Sequence, residues 1–286
     1  MKRGDARAVG CLLVAFVVVL AAVLGAVVWI RGRSGDDGPA LGAERCVATA
    51  GGQSVALDLE QAELTSIIVG LSVRRGLPAR AASVAMATVY QETQIRNLDY
   101  GDRDSVGLFQ QRPSQGWGSV KQLMDPYYAT NKFYDALVKV ENWQTDEIND
   151  VAQKVQRSGF PEAYRDHEAD AKVLASTLTG HSPRGFTCLE RQGSAGRAAA
   201  LVKSMTKTYR TVPARRDGSQ IRIAAKTETS AWAFAHYAVA NAGAYGVIEV
   251  RVGDRRWQTQ EIDLPTWSSA ATPKQSDTTV TITVRG

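Results

Sequence analysis

The hydrophobic pattern divides the chain into an apolar N-terminal run, a helical central region and a C-terminal region of mixed pattern. Residues 8–30 carry no charge and are long enough to cross a membrane as one helix. We expect residues 1–30 to form a cytoplasmic tip and an uncleaved anchor, because the run exceeds the apolar core of a signal peptide. Cleavage near residues 38–40 is the alternative. Residues 31–44 are rich in Gly, Asp and Arg and predict a flexible linker.

The central region, residues 45–190, predicts one domain that is mainly α-helical. Apolar residues recur at helical spacing over residues 57–75, Gly76 ends this helix, and Pro78 opens a second helix that reaches about residue 93. The same pattern predicts helices over residues 126–140, 145–158 and 162–179. Residues 97–118 are polar, aromatic and glycine-containing, which is typical of a functional loop. Strand patterns are nearly absent between residues 55 and 180.

The C-terminal region, residues 191–286, predicts a small α/β domain of unknown role. Its predicted helices cover residues 198–209 and 230–244, the second with Ser230 as its N-cap. Alternating β-branched and aromatic residues predict strands over residues 220–225, 247–252, 257–262 and 278–284.

Composition and charge restrict the function. Apolar residues make up 44% of the chain, and the net charge is +5. The basic residues are scattered among acidic ones, so we expect no nucleic-acid partner and only a mild attraction to anionic surfaces. The three histidines, at positions 167, 181 and 236, lack metal-ligand spacing, and no phosphate-binding loop is present. The sequence therefore predicts neither a metal nor a cofactor.

Two cysteines flank the central region. Cys46 and Cys188 would lie beyond the membrane anchor, which favours a disulfide and an oxidising compartment. Two unrelated free thiols are the alternative. Cys11 lies inside the apolar run and is interpreted as a membrane-buried thiol.

One glutamate lies on an apolar helix face. Ala85, Val89 and Glu92 share that face at helical spacing. Loss of solvation would raise the pKa of such a carboxyl, so that it could protonate a glycosidic oxygen near neutral pH. Glycoside cleavage often uses a second carboxylate, for which the candidates are Asp99, Asp102 and Asp104. The alternatives are a solvated Glu92 in a last helical turn, and solvated or capping aspartates.

A sequence motif extends this interpretation. Glu92-Thr93 is followed by Gly107-Leu108-Phe109-Gln110, and Asp125-Pro126 opens a later helix. This pattern resembles the superfamily of lytic transglycosylases and goose-type lysozymes, and it covers about half of the chain. The resemblance implies a lysozyme-like fold for residues 45–190. One departure is that the family's later Ala-Tyr-Asn-like motif is missing, and Gln156 is the candidate substitute for its Asn.

The resemblance also implies roles for individual residues. Glu92 would act as general acid and then as base, and Gly107 would let the loop approach the sugar because it lacks a Cβ. The substrate-binding candidates are Gly107, Phe109, Gln110, Gln111 and Tyr164. A plain turn glycine, a loop-bracing Gln110 amide and a core Tyr164 are the alternatives.

Together with the predicted anchor, the resemblance implies a membrane-anchored enzyme of the cell wall. Its main domains would lie outside the cytoplasm and cleave the β-1,4 bond between N-acetylmuramic acid and N-acetylglucosamine in peptidoglycan. A lytic transglycosylase is favoured, and a hydrolytic muramidase stays open. The alternative is a non-catalytic protein that binds glycan or scaffolds an assembly with a partner protein of the cell envelope.

Overall fold

The computed structural model describes residues 43–191, 193–270 and 275–286. The predicted anchor, residues 1–30, and the predicted linker up to residue 42 lie outside these ranges, as does Cys11. Within the described ranges, no helix is both long and apolar enough to cross a membrane.

The helices fall close to the positions that the sequence predicts. They comprise Leu59–Arg74 (α1), Ala79–Thr93 (α2), Val120–Leu123 (α3), Pro126–Leu137 (α4), Ile148–Gln156 (α5), Glu168–Leu178 (α6), Ala198–Tyr209 (α7), Glu228–Ala240 (α8) and Ala242–Tyr245 (α9). Local signals explain several of the helix ends. Asp58 and Gln61 form a reciprocal capping box at the start of α1, and Pro78 precedes α2.

Three predicted helix starts are wrong. Helix α5, predicted from residue 145, begins at Ile148. Helix α8 begins before Ser230, because Thr227 is its N-cap and Ser230 is the third helical residue that completes the capping box. Helix α6 begins at Glu168 instead of residue 162, because a 3₁₀ turn, Arg165–His167, precedes it.

A three-stranded antiparallel sheet, which the sequence analysis did not predict, flanks the central helices. Its strands are Arg45–Ala50 (β1), Gln53–Leu57 (β2) and Phe186–Leu189 (β3), with β1 in the middle. Gly51 and Gly52 join β1 to β2 with φ angles of 58° and 80°, as a tight hairpin turn requires. A Gly-Gly pair between alternating residues is a hairpin signal, so the sequence did contain this information.

A six-stranded antiparallel sheet forms the C-terminal part. Its strands are Ala214–Asp217 (β4), Gln220–Ala224 (β5), Val247–Val252 (β6), Arg255–Gln258 (β7), Ser268–Ser269 (β8) and Thr279–Val284 (β9). The spatial order is β4-β5-β9-β6-β7-β8, so the last strand lies at the centre of the sheet.

The two sheets contradict the predicted fold class of a mainly α lysozyme-like domain with a small α/β appendage. The structure is mixed α/β, with 43% helix and 18% strand. The prediction was wrong because the added strands are short, and because β1 pairs with β3 across the whole central region. Such non-local pairing leaves little trace in local periodicity.

One hydrophobic core runs through the described residues on both sides of the predicted boundary at residue 190. Helix α8 packs against α1, α6 and β3 on one side and against β6 and β9 on the other. A polar contact crosses the same boundary, because Asn241 Nδ2 donates to Ser66 Oγ at 2.9 Å.

The structure contains the predicted bond between Cys46 and Cys188. The two residues are direct partners on β1 and β3, and their sulfur atoms are 2.02 Å apart. The bond closes a loop with a sequence separation of 142 residues. It therefore joins the two ends of the central helical region.

Candidate active site

Glu92 lies in the last turn of α2 and is half-buried. The helix ends immediately after it, because Gln94 and Ile95 both have left-handed backbone conformations, with φ of 51° and 58°. The neighbouring Thr93 hydroxyl donates to the Leu108 carbonyl at 3.0 Å. The end of the helix is thus tied directly to the predicted functional loop.

Two hydrogen bonds converge on one oxygen of the Glu92 carboxyl. The Tyr164 hydroxyl donates to Oε1 at 2.7 Å, and Gln156 Nε2 donates to the same atom at 3.3 Å. Gln156 Nε2 also donates to the Phe109 carbonyl at 2.7 Å. Among the described residues, hydrogen bonds reach only Oε1 of Glu92, so Oε2 is the oxygen available to carry a proton.

The electrostatics of this carboxyl are set by two opposing effects. Burial raises the pKa of Glu92 above its ordinary value, while the hydrogen bonds from Tyr164 and Gln156 lower it, and the net shift is upward. Burial and the neighbouring Glu92 charge raise the pKa of the Tyr164 hydroxyl. Tyr164 therefore keeps its proton and acts as the donor in this pair.

The loop that carries the sequence motif is held by its own backbone. Val106 and Gln111 form an isolated antiparallel bridge, and the Gly107 amide donates to the Leu98 carbonyl at 2.6 Å. Gly107 has a φ of 78°, and a Cβ there would come within 2.4 Å of the Leu123 carbonyl oxygen. The structure thus explains this glycine by an intramolecular contact, whereas the sequence analysis explained it by close approach to a sugar.

Three other substrate-binding candidates direct their side chains into the protein. The Phe109 ring is fully buried and stacks on Phe133 at a centroid distance of 4.6 Å. The Gln111 side chain is buried and donates to the Ala129 carbonyl at 3.3 Å. Tyr164 is fully buried and contacts Glu92. Phe109 and Gln111 therefore anchor the loop in the protein interior, and Tyr164 holds the Glu92 carboxyl.

Gln110 braces its own loop. Its Nε2 donates to the carbonyls of Tyr100 and Gly107, both at 3.2 Å, and its Oε1 accepts from the Ser105 hydroxyl at 3.0 Å. The side chain remains half-buried. Gln110 thus stabilises the loop, which was the alternative to a role in substrate binding.

The three candidate second carboxylates differ in their surroundings. Asp104 accepts hydrogen bonds from Arg112 Nε and from the Ser114 amide, both at 2.8 Å, and Arg112 together with Ser114 lowers its pKa. Asp102 is exposed and lies 3.8 Å from the Arg103 guanidinium. Asp99 is exposed. Asp104 thus stabilises the loop by binding Arg112 and Ser114.

Two features of the site have no clear signal in the sequence. Gln156, which the sequence analysis treated only as a candidate substitute for a missing Asn, contacts both Glu92 and the loop. His167 stacks on Tyr90 at 5.3 Å with nearly parallel rings, and its Nε2 lies 3.0 Å from Gln91 Oε1. Burial lowers the pKa of His167. The segment after α5 is therefore fastened to the end of α2 at several points.

In the described ranges, no group of three His, Cys, Asp or Glu side chains is placed to hold a metal ion. Surface cavities of about 360 and 490 Å³ lie elsewhere, and Glu92 lines neither of them. No known protein-family model matches the chain, and no curated protein matches it.

Proposed function

We propose that this protein is a membrane-anchored lytic transglycosylase that cleaves the β-1,4 bond between N-acetylmuramic acid and N-acetylglucosamine in peptidoglycan. One observation carries the proposal. Glu92 is a half-buried carboxyl with a raised pKa, fixed at Oε1 by Tyr164 and Gln156 and tied to the motif loop through Gln156. A carboxyl whose pKa is raised by burial and that keeps one oxygen free suits general-acid chemistry.

In the proposed reaction, Glu92 Oε2 gives its proton to the glycosidic oxygen as the bond to the muramic-acid C1 breaks. The N-acetyl group of the substrate stabilises the developing positive charge at C1. The Glu92 carboxylate then accepts the proton of the C6 hydroxyl, whose oxygen bonds to C1 and closes a 1,6-anhydro ring. The acid is regenerated, and no water is consumed.

The state of the aspartates favours this substrate-assisted route. Asp104 uses its oxygens to accept hydrogen bonds from Arg112 and Ser114. A lowered pKa makes it a poor proton acceptor for an attacking water. A hydrolase would depend on Asp99, Asp102 or Glu92 itself for that step.

The cellular location is part of the proposal. A disulfide between Cys46 and Cys188 is typical of proteins outside the reducing cytoplasm. Together with the apolar run at residues 8–30, it supports an anchored protein whose described part lies outside the membrane and meets the cell wall.

A non-catalytic role is the second candidate, and one observation favours it. The side chains of Phe109, Gln110 and Gln111 are engaged within the protein, which leaves fewer motif groups for substrate than the resemblance implies. The domain would then bind glycan or scaffold an envelope assembly without turnover.

The test is incubation of the full chain with purified peptidoglycan, followed by mass spectrometry of the soluble products. We expect muropeptides that end in 1,6-anhydro sugars, released by wild type and not by Glu92→Gln. Glu162→Gln is the matched control, because Glu162 is exposed and pairs only with Arg165 among the described residues.

Each other result has a defined meaning. Products with reducing ends would identify a hydrolase. Equal release by Glu92→Gln would contradict the role of this residue. Cosedimentation with peptidoglycan without any release would support the binding role.

A further inference from the structure

A second carboxyl is removed from water at the end of strand β3. Glu190 is only 4% exposed, and its Oε1 has no hydrogen-bond partner among the described residues. Arg285 lies near enough to lower the pKa of Glu190, but its Nη1 is directed to the Ser194 carbonyl at 3.3 Å. Burial has the larger effect and raises that pKa. Since burying an unpaired polar atom costs free energy, Glu190 requires an explanation beyond the fold.

Glu190 lines a cavity of about 360 Å³. The walls come from the start of α1, the end of β3 and the segment that links α8 to α9. Three further glutamates, Glu44, Glu60 and Glu63, also line it. The cavity is therefore acidic, although Glu60 forms an ion pair with Arg96 at 2.6 Å. Burial followed by repulsion from Glu60 raises the pKa of Glu63 as well.

The same cavity has an apolar wall. Leu59, Val239, Ala240 and Ala242 are among its lining residues, and of these Leu59 is the most exposed. Gly243 lies against the Glu190 carboxyl, and a Cβ there would come within 3.0 Å of Oε1. Aliphatic groups beside a buried carboxyl match a ligand whose hydrocarbon stem ends in a positive charge.

We propose that this cavity is a binding site for an alkyl ammonium group, either of a free amine or of a lysine side chain in a peptide. The ammonium pairs with the Glu190 carboxyl at the cavity wall and offsets the desolvation of its charge. The aliphatic stem packs against Leu59, and Glu63 at the rim adds attraction for the positive charge. The site is separate from Glu92 and stands whether or not the protein cleaves glycan.

Calorimetric titration of the full chain tests this proposal. The probes are n-pentylamine and the peptide Ala-Lys-Ala, and their neutral counterparts are n-pentanol and Ala-norleucine-Ala. We expect saturable 1:1 binding of at least one amine and none of either neutral probe. Binding of the peptide alone would assign the site to a peptide-borne lysine, and binding of pentylamine alone would assign it to a free amine.

Variants locate the binding. Glu190→Gln keeps the shape and removes the charge, and we expect its affinity to fall at least ~10-fold, since hydrogen bonds to charged groups are strong. Glu162→Gln, on an exposed surface, should bind as wild type does. Should Glu190→Gln fail to fold by circular dichroism, Glu63→Gln at the rim replaces it, with an expected loss of about threefold.

Three results would overturn the proposal. The first is equal binding of the amines and their neutral counterparts. The second is unchanged affinity in a folded Glu190→Gln, or in Glu63→Gln where that variant replaces it. The third is the absence of saturable binding by either amine in the millimolar range.

Discussion

Glu92 and Glu190 are both carboxyls withdrawn from water, but the protein surrounds them in opposite ways. Glu92 receives hydrogen bonds from Tyr164 and Gln156, whereas Oε1 of Glu190 receives none from the described residues. In both cases burial raises the pKa. The fold therefore holds the Glu92 carboxyl in place with its own hydrogen bonds, whereas the Glu190 carboxyl lacks such bonds among the described residues.

The two carboxyls differ in how the free-energy cost of their burial is compensated. Hydrogen bonds to Oε1 hold the Glu92 carboxyl in one orientation and offset part of its desolvation. Glu190 lacks this compensation, so its ionised form costs stability in the unbound protein. Preorganisation is the expected property of a catalytic acid, and an uncompensated charge is the expected property of a ligand site.

The largest expected effect is on turnover at Glu92. Replacement by Gln removes the proton donor, so the rate of anhydro-muropeptide release should fall on the order of 10²–10⁴-fold. The measurement is product release by mass spectrometry at equal concentrations of folded protein. Glu190→Gln is the matched comparison and should leave the rate unchanged. If Glu92→Gln keeps more than a tenth of the wild-type rate of anhydro-muropeptide release, Glu92 is not the catalytic acid, and the two carboxyls no longer differ in role.

The next effect concerns the loop behind Glu92. Gly107→Ala places a Cβ against the Leu123 carbonyl at a positive φ, so we expect a loss of about 2 kcal/mol in the free energy of unfolding. Urea denaturation measures it. Gly116→Ala is the control, because Gly116 has a φ of 79° but no atom within 4 Å of its Cβ position. It should lose about 1 kcal/mol, from strain alone. Equal losses would show that the contact with Leu123 is unimportant.

A smaller effect is expected from Tyr164→Phe. The Tyr164 hydrogen bond lowers the pKa of Glu92, so its removal raises that pKa further. A general acid works in its protonated form, and its rate falls as the pH rises through its pKa. The alkaline limb of the rate profile should therefore move to higher pH. A limb that stays in place while the rate falls would indicate a purely structural role.

The smallest effect is on the stability of the unbound protein. Glu190→Gln should raise the free energy of unfolding by about 1 kcal/mol at neutral pH, because it removes an unpaired buried charge. The folded-state pKa of Glu190 is raised, so the cost of its charge grows as the pH rises from the unfolded pKa through the folded one. The increase in the free energy of unfolding should thus vanish in acid and reach a plateau at higher pH. Denaturation at several pH values measures it, and a destabilised variant at neutral pH would contradict the comparison.

Sequence reasoning succeeded where short-range signals determine structure. The break at Gly76 and the opening at Pro78 place the end of α1 and the start of α2 within two residues of their predicted positions. It missed β1 and β2, although the Gly51-Gly52 pair between them is a hairpin signal, and it missed β3, whose partner β1 lies far away in the chain. For the candidate site, it found Glu92 but assigned Phe109 and Gln111 to substrate, whereas packing turns their side chains inward.

By itself, the sequence determined the helical framework, the pairing of Cys46 with Cys188 and the place of Glu92 at a helix end. These features follow from local periodicity, capping and the scarcity of cysteines. Only the tertiary structure decided that Gln156 and Tyr164, 64 and 72 residues from Glu92, meet on one of its oxygens. Only it decided that Glu190 stays unpaired beside an acidic cavity. The physical reason is the same in both cases: solvation and hydrogen bonding of a buried carboxyl depend on what the fold brings to it from distant parts of the chain.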